Sequence, residues 1–315
     1  MAVVEEIRIS RPGLSRRLVD RALDGWRFFM VAVPYLWLSL FFLIPFVIVL
    51  KIALAEATEG QPPFADLFVW DGDNKLSIQV TFENFAYLLT QDLYLRAYLN
   101  SLKIAAISTV FCLAIGYPMA YAIARADRAR RNTLLLLVIL PFWTSFLLRV
   151  YAWMGILGDT GFLNQILQGL GLIEAPLRIL YTDMAVYIGI VYSYLPFMVL
   201  PLYSSLERLD VTLDEAAADL GAKPARVFLD ITLPLSLPGI MAGSFLVFIP
   251  AVGEYVIPDL LGNLSSPMIG RVLYDEFFAN RDWPTASAVA IALLLVLVLP
   301  IMAFQYLQGR EASAK

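Results

Sequence analysis

The sequence contains five charge-free apolar runs of about twenty residues or more, the length that a helix needs to cross the roughly 30 Å hydrocarbon core of a bilayer. Backbone N–H and C=O groups in lipid must be paired inside the protein, and a helix pairs them within one segment. The sequence therefore predicts an all-α integral membrane protein. The runs cover residues 28–50, 104–124, 184–206, 231–253 and 283–309.

A sixth apolar run is interrupted by a charge. It begins near residue 133, meets Arg149 and continues as VYAWMGIL to Leu157. We interpret 133–157 as one helix, which raises the predicted number of spans to six. We expect Arg149 to be structural; an acidic residue that pairs with it could belong to this chain or to another protein. The composition agrees with a multi-pass protein, because 60% of the residues are hydrophobic and only 16% are charged.

The orientation follows from the loop between the second and third predicted spans, which carries four arginines from Arg125 to Arg131. Short loops rich in Lys and Arg stay in the cytoplasm. This rule places that loop, the polar segment 207–234 and both chain termini in the cytoplasm. The long loop after the first span is then external, and its alternating stretch at 76–82 predicts a short strand.

Several chemistries are excluded by residues that the sequence lacks. It has no histidine, one cysteine (Cys112, expected to be buried) and no G-x-x-x-x-G-K-[ST] loop. A His-based triad, a recognisable metal site and an ATP site are therefore missing from this chain. We predict a non-catalytic membrane protein that holds no metal or cofactor of its own and binds no nucleic acid.

The polar segment between the predicted fourth and fifth spans reads EAAADLGAKPARVFLDITLP from residue 215 to 234. Thr212 and Glu215 have the spacing of a capping box, and the alanines that follow favour a helix. Gly221 suits a helix end because it accepts left-handed backbone angles, and Pro224 suits the first turn of the next helix. The segment therefore predicts a helix, a sharp bend and a second helix, with a smooth face that a partner's groove can approach closely.

This segment matches every fixed position of the pattern E-A-A, three residues, Gly, nine residues, I-x-L-P, and so resembles the EAA loop of ATP-binding cassette importer permeases. The matching positions are Glu215, Ala216, Ala217, Gly221, Ile231, Leu233 and Pro234. Further stretches are similar to the polyamine-type permeases of that family, namely NSLKIAAIST, GYPMAYAIAR, PFWTSFLLRVYAWMGIL, PAVGEYVIPDLLG and GRVLYDEFFANRDWPTASAVA.

The resemblance implies the type I importer fold, a MetI-like five-helix core with one extra amino-terminal helix, in the bacterial inner membrane. It implies polyamines such as putrescine or spermidine as substrates. The implied partners, besides membrane lipid, are a second homologous permease, an ATPase dimer that binds ATP and Mg, and a periplasmic polyamine-binding protein. The helix from about Leu213 to Leu220 would enter a cleft of the ATPase, and the coupling residues would be Glu215, Ala216, Ala217 and Gly221.

The predicted organisation has four parts. A cytoplasmic segment, 1–27, precedes the first span and its long periplasmic loop, 28–98. The permease core covers 99–308 and includes the coupling loop 207–234, and a cytoplasmic tail covers 309–315.

Glu254 ends the charge-free run of the fifth span, toward its outer end, and is the leading candidate for the substrate path. Pro250 and Pro258 bracket it, which predicts an unwound stretch, and an ionisable residue at membrane depth suggests function. For a diamine, Glu254 and Asp259 would supply counter-charge and Tyr255 an aromatic face. Equally open are a headgroup-boundary position and pairing with Arg149. The aromatic candidates on adjacent spans are Trp143, Tyr192 and Tyr194, together with Tyr151 and Trp153.

Two alternatives to a polyamine importer remain at this point. One is an importer permease for another small organic solute. The other is a carrier driven by a proton or sodium gradient, against which the complete EAA pattern and the lack of an internal repeat both count.

Overall fold

The structure, a computed structural model, describes residues 29–71, 75–263 and 265–313. The predicted segment 1–27 and the last two residues of the predicted tail lie outside the described residues. The described helices are α1 (Phe29–Ala53), α2 (Glu83–Thr90), α3 (Asp92–Arg125), α4 (Arg128–Ile139), α5 (Phe146–Leu157), α6 (Phe162–Gly169), α7 (Asp183–Glu207), α8 (Val211–Asp219), α9 (Pro224–Val252), α10 (Val256–Leu261), α11 (Ile269–Tyr274) and α12 (Trp283–Ser313).

The predicted long apolar helices are present. The helices α1, α3, α7 and α9 are each long and apolar enough to cross a membrane, and a bent pair built on α4 and α5 brings the number to five. In α12 the apolar stretch Trp283–Leu299 is shorter. The prediction of an all-helical membrane fold is therefore confirmed in this coarser form, and the count of six spans stays a prediction.

The centre of the molecule is formed by α3, α7 and α9, which pack closely because glycines face their neighbours. A Cβ atom added to Gly116 of α3 would lie 3.0 Å from Cγ of Met198, and one added to Gly243 of α9 would lie 2.8 Å from Sδ of the same methionine. A Cβ atom on Gly239 would lie 2.5 Å from Cβ of Ser205. Small residues permit this approach between membrane helices, where packing replaces the hydrophobic effect as a source of association.

The long loop after α1 forms a small hairpin. Strand β1 (Phe68–Asp71) pairs antiparallel with β2 (Lys75–Ile78), so that Phe68 lies opposite Ile78. The strand predicted at 76–82 is thus present, although it begins earlier and ends at Ile78. The amide of Asn84 at the start of α2 donates to the carbonyl oxygens of Ala53 (2.9 Å) and Ala55 (2.8 Å), which fixes α2 against the carboxyl end of α1.

The prediction of one helix over 133–157 is wrong. The helix α4 ends at Ile139, a 3₁₀ turn covers Leu140–Trp143, and α5 begins at Phe146. The angle between Arg128–Trp143 and Phe146–Gly169 is 89°. Pro141 has no N–H to donate to the preceding turn, and Thr144 has extended backbone angles (φ −94°, ψ 152°) that no α-helix accommodates. The apolar composition is continuous here although the helix is not.

Candidate functional site

The EAA segment forms the predicted helix, bend and helix, but its first helix is capped differently from the prediction. The helix α8 begins at Val211, and the carboxylate of Asp210 accepts a hydrogen bond from the N–H of Thr212 at 3.0 Å. The proposed capping box of Thr212 and Glu215 is therefore wrong, because Asp210 already occupies the cap position two residues earlier. The same N–H lowers the pKa of the Asp210 carboxyl.

Gly221 makes the bend, as predicted. Its φ is +83°, and its N–H donates to the carbonyl of Ala218 at 2.9 Å while that of Ala222 donates to Ala217 at 3.0 Å. Left-handed angles of this kind are unstrained only for glycine. Pro224 is the first residue of α9, where its fixed φ suits a helix start.

The helix α8 presents an apolar stripe to solvent. Leu213, Ala216 and Leu220 follow one another at helical spacing, and the exposed fractions of the two leucines are 48% and 90%. Glu215 is also exposed, whereas Ala217 is half-buried. A short exposed helix with leucines on its surface is the kind of element that docks into a groove of another protein.

The side of α8 that faces the spans is attached through a residue that the sequence analysis did not single out. The Asp214 carboxylate pairs with the guanidinium of Arg125 at the end of α3, and its other oxygen accepts from the hydroxyl of Thr232, in a π-helical turn of α9, at 3.3 Å. The cluster of four arginines from Arg125 to Arg131 is the sequence feature that points to this ion pair, in addition to the orientation of the loop.

Glu254 lies in the predicted break between α9 and α10. The first helix ends at Val252 and the second begins at Val256. The side chain is only 8% exposed, and its Oε1 accepts from the N–H groups of Val256 (3.0 Å) and Ile257 (3.3 Å). The hydroxyl of Tyr194 on α7 donates to Oε2. This carboxylate is thus buried, and both of its oxygens are satisfied.

The alternative that Glu254 pairs with Arg149 is not found. The Arg149 guanidinium lies against the rings of Phe142 (5.2 Å) and Phe146 (5.8 Å) at the bend between α4 and α5. Among the described residues, its buried Nε and Nη1 atoms have no hydrogen-bond partner. In the described part of this chain, no acidic side chain forms an ion pair with Arg149, which leaves a partner on another protein as the open alternative.

The other path candidates are distributed over several contacts. The ring of Tyr255 stacks on that of Tyr274 at 4.0 Å and 17°. Asp259 pairs with Arg271 at 3.4 Å, so part of its charge is already balanced. Tyr192 meets Trp153 edge-on at 5.4 Å.

The structure therefore brings Glu254 and Tyr194 into direct contact and places Tyr255 next to them in the break. Trp143 is 71% exposed and lies at the end of the 3₁₀ turn, and it is not among the hydrogen-bond partners of Glu254. Within the described ranges, no group of three or more Asp, Glu, Cys or His side chains is arranged to hold a metal ion.

The chain is similar to known proteins both in sequence and in fold. Residues 113–313 match the family described as "Binding-protein-dependent transport system inner membrane component". The chain is 42% identical over 274 residues to the spermidine/putrescine transport system permease protein PotB of Haemophilus influenzae, covering 87% of this chain and 91% of that one. It is 45% identical over 224 residues to the protein of the same name from Escherichia coli, covering 71% and 81%.

A solved structure shares the fold. The crystal structure of a bacterial ABC transporter involved in the import of the acidic polysaccharide alginate superimposes with a TM-score of 0.68, at 18% identity, over 93% of this chain and 99% of that one. The fold, the complete EAA segment and the relatives lead to one assignment: the chain belongs to the family of inner membrane permease components of binding-protein-dependent transport systems.

Proposed function

We propose that this chain is the membrane-spanning permease of an ATP-driven polyamine importer and forms, with a second homologous permease, the path for putrescine- or spermidine-like cations. One observation carries the proposal: identity of 42% across 87% of the chain to a permease named for spermidine and putrescine. Sequence similarity of this extent covers the break around Glu254 as well as the coupling loop.

The energy would come from partner proteins. A dimer of ATPase subunits would bind ATP and Mg, and their closure would draw together the α8 helices of the two permeases and turn the spans from inward-facing to outward-facing. The exposed stripe of Leu213, Ala216 and Leu220 supports this role, with Glu215, Ala217 and Gly221 shaping the same helix and its bend. A periplasmic binding protein would deliver the substrate to the outer side. The proposed topology keeps six spans with both termini in the cytoplasm.

The substrate path would pass the helix break at Glu254. Its carboxylate supplies one negative charge where backbone N–H groups and Tyr194 hold it in a fixed position. The stacked rings of Tyr255 and Tyr274 offer an aromatic surface to an ammonium group, and cations are attracted to such faces. Opening this break during the transport cycle would expose the carboxylate to the path.

The test is transport by the complete complex in proteoliposomes. The chain, the second permease, the ATPases and the binding protein are reconstituted, and uptake of labelled putrescine and spermidine is measured with ATP, with a non-hydrolysable analogue and without nucleotide. We expect uptake only with ATP. ATP-driven uptake of another small solute instead of either polyamine would favour the importer of different specificity. Uptake by this chain alone, driven by a proton or sodium gradient, would establish a secondary carrier.

A further inference from the structure

The coupling helix α8 is attached to the membrane-spanning helices at one carboxylate. Asp214 accepts from Arg125 through one oxygen and from Thr232 through the other. In the described part of the chain, every side-chain hydrogen bond that leaves α8 for another helix ends at Asp214. Arg125 is the last residue of α3 and Thr232 lies near the start of α9. The Asp214 carboxylate therefore connects three helices, α3, α8 and α9.

The contact is sheltered from water. The exposed fractions of the side chains are 25% for Arg125 and 20% for Asp214, and Thr232 is buried. The Arg125 guanidinium also lies 5.4 Å from the ring centre of Tyr121, whose edge meets the ring of Phe228 in α9. Charge pairs in such sites are screened less than pairs on the open surface, and the loss of one partner leaves a poorly solvated charge.

A second arginine of the same loop fixes the end of α3. The Arg131 guanidinium donates to Glu207 at the end of α7 (2.6 Å) and to the carbonyl oxygens of Ala124 (2.9 Å) and Ala126 (3.4 Å). A cation at these carbonyl groups satisfies the open end of the helix and its dipole. Arg131 therefore connects the end of α3, to which Arg125 belongs, to the end of α7.

We propose that Arg125, Asp214 and Thr232 form a clasp that makes α8 move as one body with α3 and α9, so that displacement of α8 by the ATPase reaches the spans. This inference rests on the proposed coupling function. A nine-residue helix is too short to be stable by itself and takes its stability from tertiary contacts. Gly221 adds backbone freedom on its carboxyl side. Without the clasp, α8 would tilt or fray under load while the spans stayed in place.

The clasp makes the arginines of this loop unequal, although all four have the same effect on topology. Arg130 is exposed and contributes one positive charge, as Arg125 does. A purely topological role predicts the same result for Arg125→Ala and Arg130→Ala. The clasp predicts a loss for the first substitution alone, which makes Arg130→Ala the matched control.

The first measurement follows the position of α8 in the assembled complex. Spin labels are attached to cysteines introduced at Ala218 on α8 and Ala129 on α4, both exposed, and the native Cys112 is fully buried. We expect one narrow distance distribution in the parent complex and in Arg130→Ala, with and without a non-hydrolysable ATP analogue. Arg125→Ala and Asp214→Ala should broaden it. A distribution in Arg125→Ala as narrow as that of the parent would overturn the proposal.

The second measurement follows coupling. In the reconstituted complex, we expect Arg125→Ala to lower the amount of spermidine imported per ATP hydrolysed by roughly tenfold, because a half-buried ion pair is lost. The double variant Arg125→Asp/Asp214→Arg should recover part of this ratio, and Arg125→Ala/Asp214→Ala should be no worse than either single variant, as for residues that act together. Co-purification of all subunits checks assembly.

The outcomes separate this inference from the proposed function. If Gly221→Pro abolishes coupling while Arg125→Ala behaves like Arg130→Ala, the EAA loop couples and the clasp is wrong. If none of these variants changes the import of spermidine per ATP, the coupling function itself fails and the clasp fails with it.

Discussion

Replacing Glu254 by Gln removes one charge from the helix break and changes little else. The Gln carbonyl oxygen still accepts from the N–H groups of Val256 and Ile257, and its amide can donate to the Tyr194 hydroxyl oxygen. The variant should therefore fold and assemble. Glu254→Ala, in contrast, would leave these donors without an acceptor and cost about 1–3 kcal/mol of stability.

The effect on transport follows from Coulomb's law. An ammonium group about 6 Å from the carboxylate, at an effective dielectric constant of about 20, gains on the order of 2–3 kcal/mol. Loss of this attraction should lower kcat/KM for putrescine uptake by about 30- to 150-fold. The matched control is Asp259→Asn, because Asp259 is already balanced by Arg271 and should matter less.

The assay is ATP-driven uptake of labelled putrescine by the reconstituted complex, with the thermal midpoint of the purified complex as the measure of folding. A normal midpoint combined with strongly reduced uptake would support a role of Glu254 in the path. Uptake kinetics equal to those of the parent protein would refute the reasoning, and Glu254 would then be a helix cap without contact to substrate.

Two further predictions concern backbone geometry. Gly221→Pro should abolish stimulation of the ATPase by the substrate-loaded binding protein, because proline cannot adopt φ +83° and lacks the N–H that bonds to Ala218 at the end of α8. The control is Gly171→Pro, at φ +69° outside the coupling loop. Equal loss of stimulation in both variants would contradict a local effect at Gly221. Gly239→Ala should lower the free energy of unfolding by about 1–3 kcal/mol, because its Cβ would lie 2.5 Å from that of Ser205. Thermal unfolding measures this change, and Gly155→Ala, whose Cβ would meet nothing within 4 Å, should not be destabilising.

The long apolar helices were predictable from the sequence because a long apolar run in lipid must pair its backbone N–H and C=O groups internally, and a helix does so within one segment. The break at Pro141 was missed for the same reason: the run is apolar on both sides of the bend, and composition does not report backbone direction. The N-cap of α8 was predicted at Thr212 instead of Asp210, because both side chains can accept a hydrogen bond from a backbone N–H at a helix start. Only the folded chain shows that Asp210 is the one that does so.

The candidate site was predicted in part. The break at Glu254 could be inferred from its two flanking prolines, which act locally. The contact with Tyr194 could not, because 60 residues separate the partners and many tyrosines on the spans were equally eligible. The same holds for Arg125 and Asp214, which are 89 residues apart and meet only when three helices converge.

The arginine-rich loop has a consequence for how this protein is made. Membrane insertion responds to positive charge, and Lys serves it as well as Arg. The contacts of Arg131 require a planar fork that reaches Glu207 and two carbonyl groups at once, which an ammonium group cannot reproduce. A chain with lysine at this position would enter the membrane in the same orientation but would lack the contacts that connect the end of α3 to the end of α7. Correct biogenesis and a working mechanism are thus separate requirements on the same few residues.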